Sequence, residues 1–328
     1  MSSQPRTLIQ AINEGLRTAM RRDERVMLLG EDIGKNGGVF RATEGLLEEF
    51  GEARVVDTPL AEAGILGTSL GLAANGMRPV PEIQFMAFIY PGYEQVVSHI
   101  ARIRMRSRGR YSAPLVVRVP YGGRNRAPEL HSDSTETFFA HTPGLVVVSP
   151  SRPYDAKGLL LASIESDDPV IFLEPMRLYR AFREEVPDDY YTVPLGRAEV
   201  VREGHDVTLI SWGSTMRDAL KAAEQAERDY GWSVEVIDLR TLSPWDEETV
   251  FESVTRTGRA VIAHEAVGHL GLGAELAARI SEDCILDLEA PVARVASYDV
   301  PAPLFQLEDW YSPDAGRIVD GIHKVMTF

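Results

Sequence analysis

Glu62 has the clearest chemical potential in the chain, because it lies alone in an apolar stretch. It is the only ionisable residue in the nineteen positions from Thr58 to Gly76, and its near neighbours are Leu, Ala, Gly and Ile. A carboxylate in such surroundings loses hydration, so it needs a partner or a raised pKa, and perturbed carboxylates are typical of functional sites. The alternative is that Glu62 only opens a helix after Pro59, where an acidic first turn is favourable without catalysis.

His131 is a second candidate, in a polar loop that follows a buried strand. The loop from Tyr121 to Ser134 reads YGGRNRAPELHSDS, and Ser132 and Asp133 directly follow the histidine. Ligands of open α/β sheets bind beyond the carboxyl ends of strands, which favours a chemical role for this loop. The alternative is an ordinary solvated histidine.

Strand-like and helix-like segments alternate along the chain and must position these residues. Runs rich in Val, Ile and Leu predict buried parallel strands with helices covering both faces of the sheet. The predicted strands are 25–30, 54–57, 80–84, 115–119, 145–149, 170–174, 207–212, 234–239, 260–264 and 293–297. The predicted helices are 7–22, 61–75, 91–106, 154–166, 216–229, 247–255 and 273–281. The pattern predicts two α/β domains, over 1–183 and 206–328, joined by a polar linker over 184–205.

Composition limits the classes of partner. The net charge of −15 argues against a nucleic-acid or anionic-membrane surface, because those partners are negative themselves. The single cysteine, Cys284, excludes an intrachain disulfide and a cysteine metal cluster. The chain has no apolar signal core and no membrane-spanning apolar run, so we expect a cytoplasmic protein.

Small residues form one face of the predicted helix that follows Glu62. Gly64, Gly67 and Gly71 lie three and four positions apart, and glycine costs about 1 kcal/mol inside a helix. Close approach of another backbone would compensate, from the domain's own sheet or from a partner helix.

Several segments together resemble one enzyme family over almost the whole chain. They are GEDIG from Gly30, NGGVFRATEGL from Asn36, DTPLAEAGI from Asp57, RPVPEIQF from Arg78, PELHSDS from Pro128, HTPGLVVVSPS from His141, IFLEPMRLYR from Ile171 and EVIDLRTLSPWD from Glu235. The chain resembles the beta subunits of heterotetrameric 2-oxo acid dehydrogenases, the thiamine-dependent E1 components of pyruvate and branched-chain complexes.

The resemblance implies a fold and a role for Glu62. The family has an N-terminal pyrimidine-binding α/β domain with a parallel sheet and a C-terminal domain of transketolase type. Its glutamate at the position of Glu62 hydrogen-bonds N1′ of the aminopyrimidine of thiamine diphosphate, which favours the imino tautomer that removes the thiazolium C2 proton. Phe88 holds the position of the aromatic ring that contacts the pyrimidine.

The resemblance also implies roles for His131 and for a set of carbonyl groups. His131 aligns with a histidine in the channel where the lipoyl group arrives, and its implied role is to orient or protonate a dithiolane sulfur. Family members can hold a potassium ion through main-chain carbonyls. The matching positions are Leu115, Val116, Ser163, Ser166 and Asp168.

The partners follow from what the chain lacks. The G-D-G and N-N motifs that hold Mg²⁺ and diphosphate in thiamine enzymes are absent from the sequence, so the resemblance implies an alpha subunit that supplies them in an α2β2 assembly. It further implies docking of the C-terminal end to an acyltransferase, E2. The substrate stays open between pyruvate and branched-chain 2-oxo acids. The alternative from another class is a non-catalytic scaffold or an electron-transfer subunit.

Overall fold

The computed structural model describes residues 2–328, and the chain divides into two compact units. The first comprises the residues up to Tyr121 together with Phe138–Leu195. The second comprises Gly122–Thr137 together with Gly196–Phe328. Both are built from alternating strands and helices, which confirms the predicted two-domain α/β class.

The first unit has a parallel sheet of six strands in the order β6-β7-β5-β4-β2-β3, and a separate antiparallel pair, β1 and β8. The strands are β1 (Ser3–Arg6), β2 (Val26–Gly30), β3 (Val55–Asp57), β4 (Arg78–Glu82), β5 (Val116–Tyr121), β6 (Val146–Val148), β7 (Val170–Pro175) and β8 (Glu184–Pro187). The helices are α1 (Leu8–Arg22), α2 (Leu46–Phe50), α3 (Glu62–Ala74), α4 (Ile103–Arg106), α5 (Glu136–Ala140) and α6 (Pro153–Glu165).

Apolar periodicity explains how α1 packs. Its start is fixed by the Gln10 side chain, which accepts the Thr7 N–H at 3.0 Å. Residues spaced three and four apart, among them Ile12 and Leu16, are buried in a core that they share with Leu160 of α6. The same alternation of buried strands and covering helices brings the carboxyl ends of β2, β3 and β4 to one edge of the sheet.

The second unit has a five-stranded sheet in the order β14-β13-β10-β11-β9, in which only β9 is antiparallel. The strands of this sheet are β9 (Glu199–Arg202), β10 (Val207–Ser211), β11 (Val234–Asp238), β13 (Ala260–Val267) and β14 (Ala293–Ser297). A further short strand of the unit, β12 (Thr241–Ser243), lies outside this sheet. Its helices are α7 (Met216–Tyr230), α8 (Glu247–Thr257), α9 (Leu272–Asp283), α10 (Glu308–Tyr311) and α11 (Ala315–Met326). Alanines of α7 and branched residues of α11 share one core with the sheet.

Two segments differ from the sequence-based expectation. The single helix predicted over 91–106 is wrong, because the chain forms a 3₁₀ helix (Met86–Gly92), a π-helix (Gln95–Ile100) and then α4. Pro91 has no N–H to donate, so a regular α-helical ladder is interrupted there. Strands β8 and β9 both lie inside the segment predicted as a linker. Within residues 2–328, no helix is long and apolar enough to cross a membrane.

Candidate active site

Three parallel strands deliver chemically useful side chains to one edge of the first unit's sheet. Glu31 follows β2, Glu62 lies five positions after β3, and Phe88 lies shortly after β4. Because β2 is paired in parallel with both β3 and β4, their carboxyl ends point the same way. This edge is where ligands of open parallel sheets bind.

Glu62 is the first residue of α3, and its side chain is half-buried. At this position the unpaired N–H groups of the first helical turn favour a negative charge. The surrounding residues Ala61, Ala63 and Gly64 are exposed. The apolar enclosure expected for Glu62 is therefore incomplete within this chain, since small side chains leave the first turn open.

A second carboxylate, which sequence reasoning missed as a site residue, lies near Glu62. Burial, then the negative charge of Glu62 and then that of Asp32, raise the pKa of Glu31 above its ordinary value. Two carboxylates that influence each other are a common way to hold a proton at neutral pH. The sequence signal that could have identified Glu31 is its position directly after the apolar run of β2, at the carboxyl end of a buried strand.

The loop after β2 is fixed by Asp57, the last residue of β3. Its carboxylate accepts the Gly34 N–H at 2.6 Å and the Lys35 N–H at 3.1 Å. The Thr58 N–H donates to the Gly30 carbonyl at 2.9 Å. These bonds hold the segments that precede Glu62 and follow β2 at defined positions.

Phe88 lies on the 3₁₀ segment that packs against α3. Its ring is half-buried and contacts Phe85 edge-on, with centroids 5.3 Å apart. Gly92 allows this close packing, because a Cβ there would lie 2.7 Å from the Leu66 side chain and 3.1 Å from the Glu62 backbone. The structure thus brings the segment that carries Phe88 against the first turn of α3.

A buried ionic network lies at the centre of the same sheet. The Arg118 guanidinium donates two hydrogen bonds to Glu174, at 2.6 and 3.0 Å, and one to Glu82 at 2.7 Å. The Tyr179 hydroxyl also donates to Glu174, at 2.6 Å. Burial raises the pKa of Glu82. Burial alone would lower the pKa of Arg118, but the negative charges of Glu174 and Glu82 outweigh this effect and raise it. Such a network fixes geometry, because breaking one partner leaves a buried charge unpaired.

His131 lies in the loop that is grouped with the second unit, and it is half-buried. Its Nδ1 lies 2.8 Å from the Glu129 carbonyl oxygen. A carbonyl only accepts, so this contact assigns the proton of the neutral ring to Nδ1 and makes Nε2 a hydrogen-bond acceptor. A fixed tautomer of this kind suits an acid–base group.

The predicted potassium ligands cluster near the amino ends of β5 and β7, and four of their carbonyls already have protein donors. Leu115 O accepts from Val170 N, Ser163 O from Ser166 N, Ser166 O from Arg78 Nη1, and Asp168 O from Ser166 Oγ. Val116 lies in β5. The Arg78 guanidinium also donates to Ile164 O at 2.9 Å, so a charged side chain of the protein already contacts two carbonyls of this region. Potassium binding stays a prediction, because four of these carbonyls already accept hydrogen bonds from the protein without an ion.

Among the described residues, no group of three or more His, Cys, Asp or Glu side chains could hold a metal ion. On α3, a Cβ at Gly71 would meet nothing within 4 Å, one at Gly64 would meet only Ala61, and one at Gly67 would meet only the Gln95 side chain. The small-residue face is therefore not covered by the chain's own sheet.

Comparisons with known proteins agree with these two domains. The family model described as "Transketolase, pyrimidine binding domain" matches residues 4–181, and "Transketolase, C-terminal domain" matches residues 196–318. The chain is similar to a solved "Split gene transketolase, inactive beta4 tetramer", with a TM-score of 0.80, 22% identity and coverage of 99% of both chains, which shows a shared fold.

Closer similarity is found to curated bacterial proteins. A "Pyruvate dehydrogenase E1 component subunit beta" of Staphylococcus epidermidis is 53% identical over 98% of this chain and 99% of its own length. A protein of the same name from Staphylococcus aureus is 50% identical over the same shares. By full-length similarity, the chain belongs to the family of pyruvate dehydrogenase E1 beta subunits, with transketolase-type pyrimidine-binding and C-terminal domains.

Proposed function

We propose that this chain is the beta half of a pyruvate-type E1 enzyme, which decarboxylates a 2-oxo acid with thiamine diphosphate and passes the acyl group to the lipoyl group of E2. The observation that carries the proposal is the placement of Glu62 at an open helix start, beside Glu31 and against the Phe88 segment. This arrangement fits one half of a cofactor site, and the open glycine face of α3 gives a partner subunit room to approach.

The first unit would hold the aminopyrimidine. When bound, thiamine diphosphate supplies the nucleophilic carbon that attacks the 2-oxo group and stores the electrons left by carbon dioxide. Glu62 would share a proton with N1′ of the bound cofactor through a carboxylate oxygen, and Phe88 would lie against the pyrimidine ring. Burial and then the negative charge of Glu62 raise the pKa of Glu31, so a second carboxyl group that can hold a proton lies near Glu62. The alpha subunit supplies the ligands for Mg²⁺ and diphosphate.

His131 would serve the transfer step. The electron pair left by decarboxylation would form a bond from the acyl carbon to one dithiolane sulfur, and the sulfur–sulfur bond would break. The second sulfur would leave as a thiolate that takes one proton, and the thioester would be released when the bond between the acyl carbon and the cofactor breaks. His131 donates this proton from Nε2 once the ring is protonated, and the Glu129 carbonyl holds the ring through Nδ1. The loop therefore acts after decarboxylation.

The names of the relatives support pyruvate over branched-chain substrates. Assembly as α2β2, docking of E2 at the C-terminal end and a cytoplasmic location stay predictions. The competing scaffold hypothesis differs in one respect: it requires no chemistry from Glu62.

Reconstitution tests the proposal. The purified chain is titrated with thiamine diphosphate and Mg²⁺, alone and with its alpha subunit, and turnover is measured with pyruvate, 2-oxobutyrate and 3-methyl-2-oxobutanoate. We expect turnover only with both subunits, and pyruvate as the preferred substrate. Micromolar cofactor binding with turnover by the beta chain alone would contradict the half-site, and no turnover of any acid by the assembly would contradict the substrate class.

A further inference from the structure

The loop that carries His131 is held by three buried carboxylates of the second unit. Glu265 accepts the Gly123 N–H, and Asp218 lies 3.4 Å from the Arg124 guanidinium. Glu308 accepts the Arg126 N–H at 2.9 Å through one oxygen, and its other oxygen lies 3.2 Å from Ser132 Oγ. All three carboxylate residues are less than 8% exposed. The loop is therefore tied to groups distant in the sequence at both of its ends.

Glu308 holds the part of the loop that matters most for the histidine. Its two bonds bracket His131, with Arg126 five positions before it and Ser132 one position after it. Together with the Pro128 carbonyl, which accepts the His131 backbone N–H at 3.3 Å, they constrain the short stretch of backbone that contains His131. A single carboxylate thus holds both ends of the segment from Arg126 to Ser132 in position.

The backbone of the loop needs such external support. Arg124, Arg126 and Leu130 have φ values of 59°, 56° and 67°, which is the left-handed region that residues with a Cβ rarely adopt. Conformations of this kind persist only where surrounding contacts over-determine them. The Arg124 guanidinium adds two such contacts, to the Ser312 carbonyl at 2.8 Å and the Pro313 carbonyl at 3.0 Å.

The burial of Glu308 is unusual for its segment. Its neighbours Leu307 and Trp310 are 60% and 76% exposed, whereas Glu308 is 3% exposed. A carboxylate turned inward from an exposed segment loses hydration, and this cost is offset only by the donors that it meets. The donors that Glu308 meets are the Arg126 N–H and the Ser132 hydroxyl, which both belong to the loop.

We propose that Glu308 is a positioning residue for His131, fixing the loop so that the imidazole faces the incoming acyl acceptor. The inference rests on the transfer role proposed for His131. It assigns no contact between Glu308 and the substrate, since Glu308 acts through the bonds to Arg126 and Ser132.

The test uses the reconstituted complex and the substitutions Glu308→Gln, His131→Ala and both together. Glutamine keeps the shape but can no longer accept on both sides, because one oxygen becomes an amide nitrogen. We expect Glu308→Gln to lower kcat for acyl transfer to the lipoyl domain by about tenfold or more, with decarboxylation measured by an artificial electron acceptor changed less than about twofold. The double variant should match His131→Ala alone, because residues that act as one unit are not additive.

Asp309→Asn is the matched control, since that neighbouring carboxylate is 69% exposed and lies 3.5 Å from an equally exposed Arg126 guanidinium. Hydrogen exchange of the amides of residues 124–133 is the second measurement, and Glu308→Gln should accelerate it while Asp309→Asn should not. Unchanged exchange, or losses that add to those of His131→Ala, would overturn the positioning role. If His131→Ala lowered decarboxylation and acyl transfer equally, the proposed transfer role of His131 would be overturned. The positioning role of Glu308 would still be supported if the loss of activity in the double variant equalled that of His131→Ala alone.

Discussion

The start of α3 and the loop over 122–137 carry the two predicted acid–base residues, yet they are held in opposite ways. The first turn of α3 is partly exposed, and its small-residue face meets almost nothing in the chain. The loop is bound by three buried carboxylates and by two backbone carbonyls. The contrast fits the proposed half-site, in which a partner subunit completes the Glu62 region, whereas the His131 loop is already held by contacts within its own unit.

The largest effect should come from Glu62. We expect Glu62→Gln to lower kcat of the assembled enzyme by about 10² or more in both the decarboxylation and the transfer assay. Both assays depend on decarboxylation, and the general acid–base contribution of Glu62 is lost at that step. Glu52→Gln, at an exposed position, is the control. Full activity of the Glu62→Gln assembly would favour the scaffold hypothesis.

A smaller effect should follow from filling the open face of α3. Gly71→Leu adds a side chain where a Cβ meets nothing within 4 Å, so the isolated chain should be no less stable than the wild type. Its apparent Kd for the alpha subunit should rise by about tenfold or more, equivalent to about 1.4 kcal/mol. Analytical ultracentrifugation at several concentrations measures this shift.

Ala278→Leu, on the exposed face of α9, adds the same side chain to a helix of the second unit and serves as the control. Equal weakening by both substitutions would remove the case for α3 as the contact face.

The sequence predicted much of this arrangement, for reasons that particular residues make clear. Apolar runs such as the one in β2 predict buried strands, and an isolated carboxylate among apolar residues identifies Glu62 as a candidate site residue. Short polar strands such as β1, with Pro5 inside it, carry no apolar signal and were missed. The burial of Glu308 cannot be predicted from local sequence, because it depends on contact with Ser132, which lies 176 positions earlier in the chain.

A last prediction concerns the pH dependence of stability in the second unit. Trp212 stacks on His264 with ring centroids 5.1 Å apart, and its Nε1 donates to Glu136 at 3.3 Å. Burial raises the pKa of Glu136 to about 7 and lowers the pKa of His264 to about 4. The stability that Glu136 contributes is present below its ordinary pKa of 4.5 and is lost as the pH rises through about 7. The stability that His264 contributes is present above 6.5 and is lost as the pH falls through about 4.

These two dependences oppose each other between about pH 4.5 and 6.5, and single substitutions should separate them. Glu136→Gln should leave a free energy of unfolding that rises with pH in this range, and His264→Asn one that falls, each by up to about 1.4 kcal/mol per pH unit. Urea unfolding at a series of pH values gives both slopes, which do not depend on the absolute stability of either variant. Identical slopes in the wild type and both variants would contradict the assigned titrations.

The distance in sequence between Ser132 and Glu308 has a consequence for how the protein is made. They are separated by 176 positions, so at roughly 5–20 residues per second the loop leaves the ribosome roughly 10–35 seconds before its carboxylate partner. Four strands of the first unit's sheet, β2 to β5, are synthesised before that interval, and the other two, β6 and β7, in its first part, whereas the loop between β5 and β6 still lacks its carboxylate partner. The histidine loop is thus among the last segments to become ordered during biosynthesis, and a nascent chain stalled before residue 308 would expose it to proteases.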